Sequence, residues 1–264
     1  MAERWRVGVV EAPITTFLSS DFRPVVHWLS RAGCARPYGM VNEFGLQVFC
    51  EVQDRRQGRS HLAWLRAGEP VPLLGFPAEA DLGHPYMVEE DGELYCLPHE
   101  LPPAELQLYQ RSTSGQWAYA ATPLPGFAAS DAALFRIEER WWLACSRPAT
   151  GDGLWLWHAP TLRGPWQPHA ANPVRAGAGA ACAAGTPFLH QGVLYRPARE
   201  GTGMVIQRVL KLTPASYAEE PAVHLRSHWP APWGGGWQTL AAVGAITLVD
   251  GCGGPRLPRW RSRA

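Results

Sequence analysis

Hydrophobic and polar positions alternate in short runs along this chain, and five times a β-type apolar run ends in a Gly or acidic turn with a second, aromatic-rich run behind it. The stretches are Ala35–Glu51 (ARPYGMVNEFGLQVFCE), His84–Glu100 (HPYMVEEDGELYCLPHE), Asp131–Arg147 (DAALFRIEERWWLACSR), Gly185–Glu200 (GTPFLHQGVLYRPARE) and Ala242–Gly251 (AVGAITLVDG). A hairpin repeated every roughly 40 to 50 residues is the pattern of propeller blades, because one small twisted sheet cannot bury both its faces alone. The pattern predicts an all-β fold: one five-bladed β-propeller domain spanning residues 1–264. In such a ring the innermost strand of each blade lines a central channel. Chemistry would then be assembled from equivalent positions in successive blades.

The segments between the repeats hold most of the Pro and Gly, which stop strand ladders and turn the chain. They are 66–77, 112–126, 160–179 and 225–236, and all are expected to be loops. A short helix is expected around Ser19–Ala32, where Ser20 or Asp21 can cap a partial apolar stripe of Val25, Trp28 and Leu29. The early run Trp5–Val10 and the last run, Ala245–Asp250, each lack a neighbouring partner, so they are expected to pair and close the ring.

Composition sharpens this picture. With 46% apolar residues, 18% charged residues and a formal charge of +1, the chain can bury a core and carries no field that would draw nucleic acid. Thirteen Trp, 27 Gly and 25 Pro fit short strands, tight turns and indoles wedged between blades. The opening MAERWRVGVVEAP has no secretory pattern, and no apolar run of about 18 residues could span a bilayer, so a cytoplasmic location is expected. The six cysteines, Cys34, Cys50, Cys96, Cys145, Cys182 and Cys252, are scattered without CxxC spacing and read as reduced thiols, most of them buried. No metal and no other cofactor is expected.

Six segments taken together carry a resemblance: WRVGVVEAPI, HPYMVEEDGELYCLP, DAALFRIEERWWLACS, NPVRAGAGAACAAGTPFLHQGVLYRPARE, LTPASYAEE and TLAAVGAITLVDG. In this order, from about residue 5 to 252, they resemble the N-terminal-type domain of the glucosamine inositolphosphorylceramide transferase family and its bacterial relatives, which are often attached to formyltransferase-like domains. That family is similar in turn to the five-bladed propellers of family 43 glycoside hydrolases, whose carboxylates ring a central funnel. The resemblance implies five blades and an ancestry in sugar chemistry.

Several residues depart from the family's pattern. Its first blade typically reads Ala-Asp-Pro-Phe-Gly; here Arg36 stands at the Asp. The second blade usually ends Ile-Pro-Glu; here it ends Leu97-Pro98-His99, with Glu100 following. Asp131 of the third blade is retained. A fourth-blade segment that normally holds two arginines reads AGAACA over 178–183, with Cys182 among its residues, and the fifth-blade His-Thr-Leu has become Gln238-Thr239-Leu240.

Glycoside hydrolysis needs two carboxyl groups, one to protonate the leaving oxygen and one to attack or activate water. The matched positions keep one. Arg36 cannot be a base but can hold a carboxylate or phosphate, while an unperturbed His99 would exchange a proton near neutral pH, with Asp131 orienting it or acting as base. Arg36, His99 and Asp131 are therefore the candidate catalytic set. Glu11, Glu51, His84, Glu100, Cys182, Arg196, Trp237 and Gln238 are candidate ligand contacts. Structural roles compete at each: Asp131 can bond backbone amides at a blade entrance, Arg36 can stack at the surface, His99 can sit in a solvated turn, and Glu51 can pair with Arg55 or Arg56. Trp229, Trp233 and Trp237 precede the closing strand and can stack on a sugar at the funnel mouth, whereas Trp141, Trp142, Trp155 and Trp157 read as packing between blades.

The expected function is a small-molecule biosynthetic enzyme performing proton-transfer, cyclisation or group-transfer chemistry on a polar or sugar-derived substrate. The alternative is a non-catalytic module that binds a glycan or docks to a partner enzyme, and residual glycosidase activity is a third reading.

Overall fold

A computed structural model describes residues 4–31, 33–54, 58–147, 153–177, 180–201, 203–225 and 236–253. Strand β1 (Arg4–Val10) is followed by a 3-10 turn at Ile14–Leu18 and by the two-residue β2 (His27–Trp28). Blade I comprises β3 (Cys34–Asn42), β4 (Gly45–Asp54), β5 (Arg59–Arg66) and β6 (Glu69–Pro72), and blade II comprises β7 (Leu82–Glu90), β8 (Glu93–Glu100), β9 (Leu108–Arg111) and β10 (Trp117–Ala121). Blade III holds β11 (Ser130–Ile137), β12 (Arg140–Ser146), β13 (Gly153–Ala159) and β14 (Gln167–Pro168), with a fifth short strand, β15 (Arg175–Ala176), also paired to β13. Blade IV is β16 (Phe188–His190), β17 (Val193–Glu200), β18 (Gly203–Thr213) and β19 (Ser216–Leu225).

Blade V joins the two ends of the chain. Its order is β20 (Leu240–Val243), β21 (Ile246–Gly253), β1, β2, and β1 runs antiparallel to β21 with Trp5 opposite Cys252 and Val10 opposite Thr247. The five-bladed ring and its closure by both terminal strands are as the repeats predict. The closure gives β1 and β21 a partner on each side within blade V. The helix expected over 19–32 does not form. Pro24 lacks the amide that a helix interior needs, and the chain instead buries Ile14 and Phe17 in the 3-10 turn and runs extended into β2.

Apolar side chains from neighbouring blades fill the wedges between sheets. Tyr38, Tyr86, Leu97, Leu134, Leu143 and Leu248 belong to one buried cluster, and the Tyr86 hydroxyl donates to Leu134 O at 2.7 Å, linking blade II to blade III. Trp155 and Trp157 both meet Phe127 edge-on, at 5.2 and 5.3 Å between ring centroids, so these indoles pack blades. Five of the six cysteine side chains are buried and all six are free thiols.

The inner strands of blades I, II and III share one irregularity. Each has a bulge, between Ala35 and Tyr38 in β3, between Gly83 and Tyr86 in β7 and between Ser130 and Ala133 in β11. The first bulged residue in each is left-handed: Arg36 at φ +50°, His84 at +53° and Asp131 at +49°. This conformation costs an L-residue on the order of 1–2 kcal/mol, and bulges of this kind re-aim side chains at barrel rims and beside sites. Three polar side chains are thereby turned toward the ring's centre at matching heights.

Candidate functional site

The strained amides at the bulges are each caught by the preceding blade. Asp250 Oδ2 on β21 accepts the Arg36 N–H at 2.8 Å, Glu51 Oε2 on β4 accepts the His84 N–H at 3.2 Å, and His99 Nδ1 on β8 accepts the Asp131 N–H at 3.2 Å. The acceptors occupy one repeated place: the step from Arg36 to Glu51 recurs from His84 to His99, with Glu51 opposite Ala35 and His99 opposite Gly83. Asp250 also takes the amides of Gln238 and Thr239 at 2.8 and 2.9 Å. A structural acceptor and a central side chain thus alternate around the channel.

Inside this collar the side chains meet. Arg36 Nη1 lies 2.9 Å from His99 Nε2, 3.7 Å from Glu51 Oε2 and 3.9 Å from Asp131 Oδ1, while its Nε donates to Gln238 Oε1 at 3.0 Å. Arg199 Nη2 donates to Asp131 Oδ2 at 2.7 Å, and His84 Nδ1 is 3.8 Å from Asp131 Oδ1. His84 Nε2 meets the buried Tyr38 hydroxyl at 2.9 Å, and Glu51 Oε1 accepts from Ser60 Oγ at 3.2 Å. The Arg36 and Arg199 side chains are 16% and 26% exposed, against 8% for Asp131, so the two guanidiniums are the more open members of the group.

Electrostatics fix the protonation of the set. Burial would raise the Asp131 carboxyl, but His84, Arg199 and Arg36 outweigh it and hold the group well below the usual carboxylate range. Burial, followed by the Arg36 charge, pushes His99 well below the ordinary imidazole value, and burial lowers His84 despite its contact with Asp131. The unperturbed proton exchange expected of His99 near neutral pH is therefore lost. Burial raises the Asp250 carboxyl to about 6 against the pull of the backbone amides bonded to it, and its side chain is wholly enclosed.

His84, His99 and Asp131 each put a donor atom within 4.8 Å of the others, a spacing that a cation could bridge. Several of those donors are already engaged: the Asp131 amide donates to His99 Nδ1, the Tyr38 hydroxyl pairs with His84 Nε2, and Arg199 donates to Asp131 Oδ2.

Of the residues selected from the sequence, Arg36, His99, Asp131, Glu51, His84 and Gln238 come together here. Cys182 lies beside them, next to Arg199 and Ser146, with its thiol raised by burial. Four do not join the group. Glu11 is exposed beyond the end of β1. Glu100 follows His99 in an extended strand, so the pleat turns it to the other face, where it lines a groove with Pro98, Glu105 and Tyr109. Arg196 is 2% exposed and belongs to blade IV's interior, donating to Glu219 at 2.9 Å and to Ala180 O at 2.8 Å. Trp237 is 4% exposed and packs against Phe17, 6.2 Å away, so it fills a core and does not stack on a ligand. Trp229, Trp233, Arg55, Arg56 and residues 178–179 lie outside the described residues.

Sequence reasoning missed Arg199, Tyr38 and Asp250. Tyr38 and Asp250 were legible as repeats: Arg36-Pro37-Tyr38 echoes His84-Pro85-Tyr86, and Asp250 fills in blade V the acceptor place of Glu51. Arg199 stands three residues from Arg196 in the same strand, and only the register of β17 separates the two roles.

Comparison with known proteins now adds ancestry. Residues 72–230 match the family model described as glucosamine inositolphosphorylceramide transferase 1, N-terminal. The glucosamine inositolphosphorylceramide transferase 1 of Oryza sativa subsp. japonica is 26% identical over 194 residues, covering 64% of this chain. The chain spans 26% of that relative's length. Among solved structures, Zg3597, a family 117 glycoside hydrolase from Zobellia galactanivorans, superposes with a TM-score of 0.58 at 13% identity over 84% of both chains. A thermostable family-43 glycoside hydrolase gives 0.51 at 14% identity, covering 77% of this chain and 79% of that one. These likenesses establish the propeller fold.

Proposed function

From the premise that the chain belongs to the glucosamine inositolphosphorylceramide transferase 1 N-terminal family, we propose that its funnel is a recognition site for a polar, sugar-derived small molecule in which fixed charge, and not proton transfer, does the work. The observation that carries this reading is Asp131. Of the three bulge positions it alone is a carboxylate, and it is clamped by Arg199 at 2.7 Å with Arg36 at 3.9 Å. A glycosidase acid must hold a proton at working pH, which needs a raised pKa. Asp131 is shifted the other way. Asp250, which is raised, is sealed under backbone amides and reaches no ligand.

What remains suits a sugar well. Arg36, Arg199, Asp131 and Glu51 present charged donors and acceptors on strands, and Gln238 adds a neutral amide from the segment before β20, each with its direction set by a partner. Hydroxyls are bound by such preorganised pairs at little ordering cost. The relative's name specifies a transferase of glucosamine, and the sugar class proposed for this chain takes support from that.

A second reading, group transfer within the same funnel, is favoured by one observation: two guanidiniums flank one ionised carboxylate. Such an arrangement stabilises charge developing on a leaving group without moving a proton.

Incubation of the purified protein with a panel of aryl glycosides tests the central exclusion. No hydrolysis above the buffer rate is expected. Robust hydrolysis that disappears in Asp131→Asn would overturn the reading.

A further inference from the structure

The contact between Arg36 and His99 sets two hydrogen-bond donors against each other. His99 Nδ1 accepts the Asp131 amide at 3.2 Å, and an amide nitrogen can only donate, so Nδ1 carries its lone pair. The equivalent places in the two preceding blades are filled by carboxylate oxygens of Glu51 and Asp250, each on the amide of the next bulge, so the collar requires an acceptor at this point. A neutral imidazole has one N–H and one lone pair, which places the proton of His99 on Nε2. Nε2 faces Arg36 Nη1 at 2.9 Å, and a guanidinium has no lone pair to offer.

Oxygens of the protein stand near but serve other donors. Glu51 Oε2 is 3.7 Å from Nη1 and holds the His84 amide, and Asp131 Oδ1 is 3.9 Å away beside His84. Gln238 fixes the guanidinium through Nε, so Nη1 keeps its direction.

We propose that Arg36 Nη1–H and His99 Nε2–H form a two-pronged cradle for an anionic oxygen of the ligand, a carboxylate or phosphate oxygen carried by the sugar-derived molecule. The cradle names the substrate class of the funnel and rests on the reading of the funnel as a sugar site. An acceptor placed beside the pair, within reach of both N–H groups, gives each opposed proton a partner, and its charge complements the guanidinium, whereas a cationic group would add to the conflict. His99 is then a specificity residue that donates, and not a base.

Two measurements test this on the full chain. In the first, glucose, glucuronate and glucose 6-phosphate are titrated calorimetrically. The acidic sugars should bind at least ten-fold more tightly than glucose, and His99→Leu should abolish the preference while His99→Gln, which restores an amide donor, keeps it in part. Preference for glucuronate alone or for glucose 6-phosphate alone identifies the oxyanion's source. Equal binding of all three would overturn the cradle and leave the sugar reading intact.

The second measurement is the 15N spectrum of the His99 ring in the wild-type protein, which does not depend on a variant that folds. The Nε2–H tautomer is expected from pH 8 down to pH 6, with Nε2 shifting on addition of inorganic phosphate. If no sugar binds but phosphate moves Nε2, the cradle stands and the sugar reading falls. An Nδ1–H tautomer, an imidazolium at pH 6, or no response to phosphate or to any of the sugars would overturn the proposal.

Discussion

The Asp250 carboxylate on the last strand accepts the main-chain amide of Arg36, 214 positions earlier in the chain, at 2.8 Å. One side chain therefore closes the ring and presets the conformation of a funnel residue. Its other oxygen ties down the amides of Gln238 and Thr239, and Gln238 in turn orients the Arg36 guanidinium. Fold and site share this joint.

Asp250→Ala should destabilise the protein by about 3 kcal/mol, because three enclosed amides lose their acceptor and each such loss costs on the order of 1 kcal/mol or more. Asp250→Asn keeps one acceptor oxygen and should cost less. Urea unfolding monitored by tryptophan fluorescence gives both values; equal stability of Asp250→Ala and wild type would show that the joint is incidental.

Arg196 and Arg199 lie three residues apart and should differ in their effect on affinity. Arg196→Met leaves Glu219 buried beside Tyr217 with only the half-exposed Arg175 to balance it, a change expected to cost about 3 kcal/mol or more. Ligand affinity of the protein that still folds should be unchanged. Arg199→Met leaves the buried Asp131 to Arg36 at 3.9 Å and His84 at 3.8 Å and so also costs stability, but unlike Arg196→Met it should lose most of the affinity. Thermal melts paired with binding titrations separate the two cases.

Acid should weaken the fold through its histidines. The folded-state values of His84 and His99 are depressed by burial below the ordinary 6.5, so below that pH the unfolded chain takes up protons that the folded chain refuses. Stability is then full above 6.5 and is lost as pH falls, by about 1.4 kcal/mol per pH unit for each histidine that stays neutral. Asp250, raised from 3.8 to about 6, works in the opposite sense over pH 4 to 6, where the folded state binds the extra proton. Urea unfolding at pH 7, 6 and 5 should show a shallower acid slope in His99→Gln than in wild type and a steeper one in Asp250→Asn. Parallel slopes would contradict this assignment.

The propeller was legible because each blade repeats a hairpin and because the unpaired terminal strands needed each other. The central positions were legible in blades I to III, where a polar residue stands at each bulge, and in blades I and II the step from Arg36 to Glu51 recurs from His84 to His99. In blade IV the pattern fails: Gly185 occupies a left-handed position at φ +141°, where an added Cβ would meet Leu240 O at 1.9 Å, and the funnel's arginine comes from the second strand. Arg196 is read as a ligand contact and Arg199 is missed because sequence shows neither the register of β17 nor the buried Glu219 that claims Arg196. Trp237 looked available in a Gly-rich stretch, but Phe17, brought in by the 3-10 turn, encloses it. The lowered pKa of His99 was beyond the sequence, since it follows from burial in the funnel and then from the Arg36 charge of another blade.

The central claim is that fixed charges at Arg199, Asp131 and Arg36 hold a sugar-type ligand in the funnel. It is tested most directly by calorimetric titration of glucose, glucuronate and glucose 6-phosphate into wild-type protein and Arg199→Met. Saturable binding of at least one sugar by the wild type, weakened ten-fold or more in Arg199→Met, is the predicted result. Equal affinity in the two proteins, or no binding of any sugar to the wild type, would contradict it.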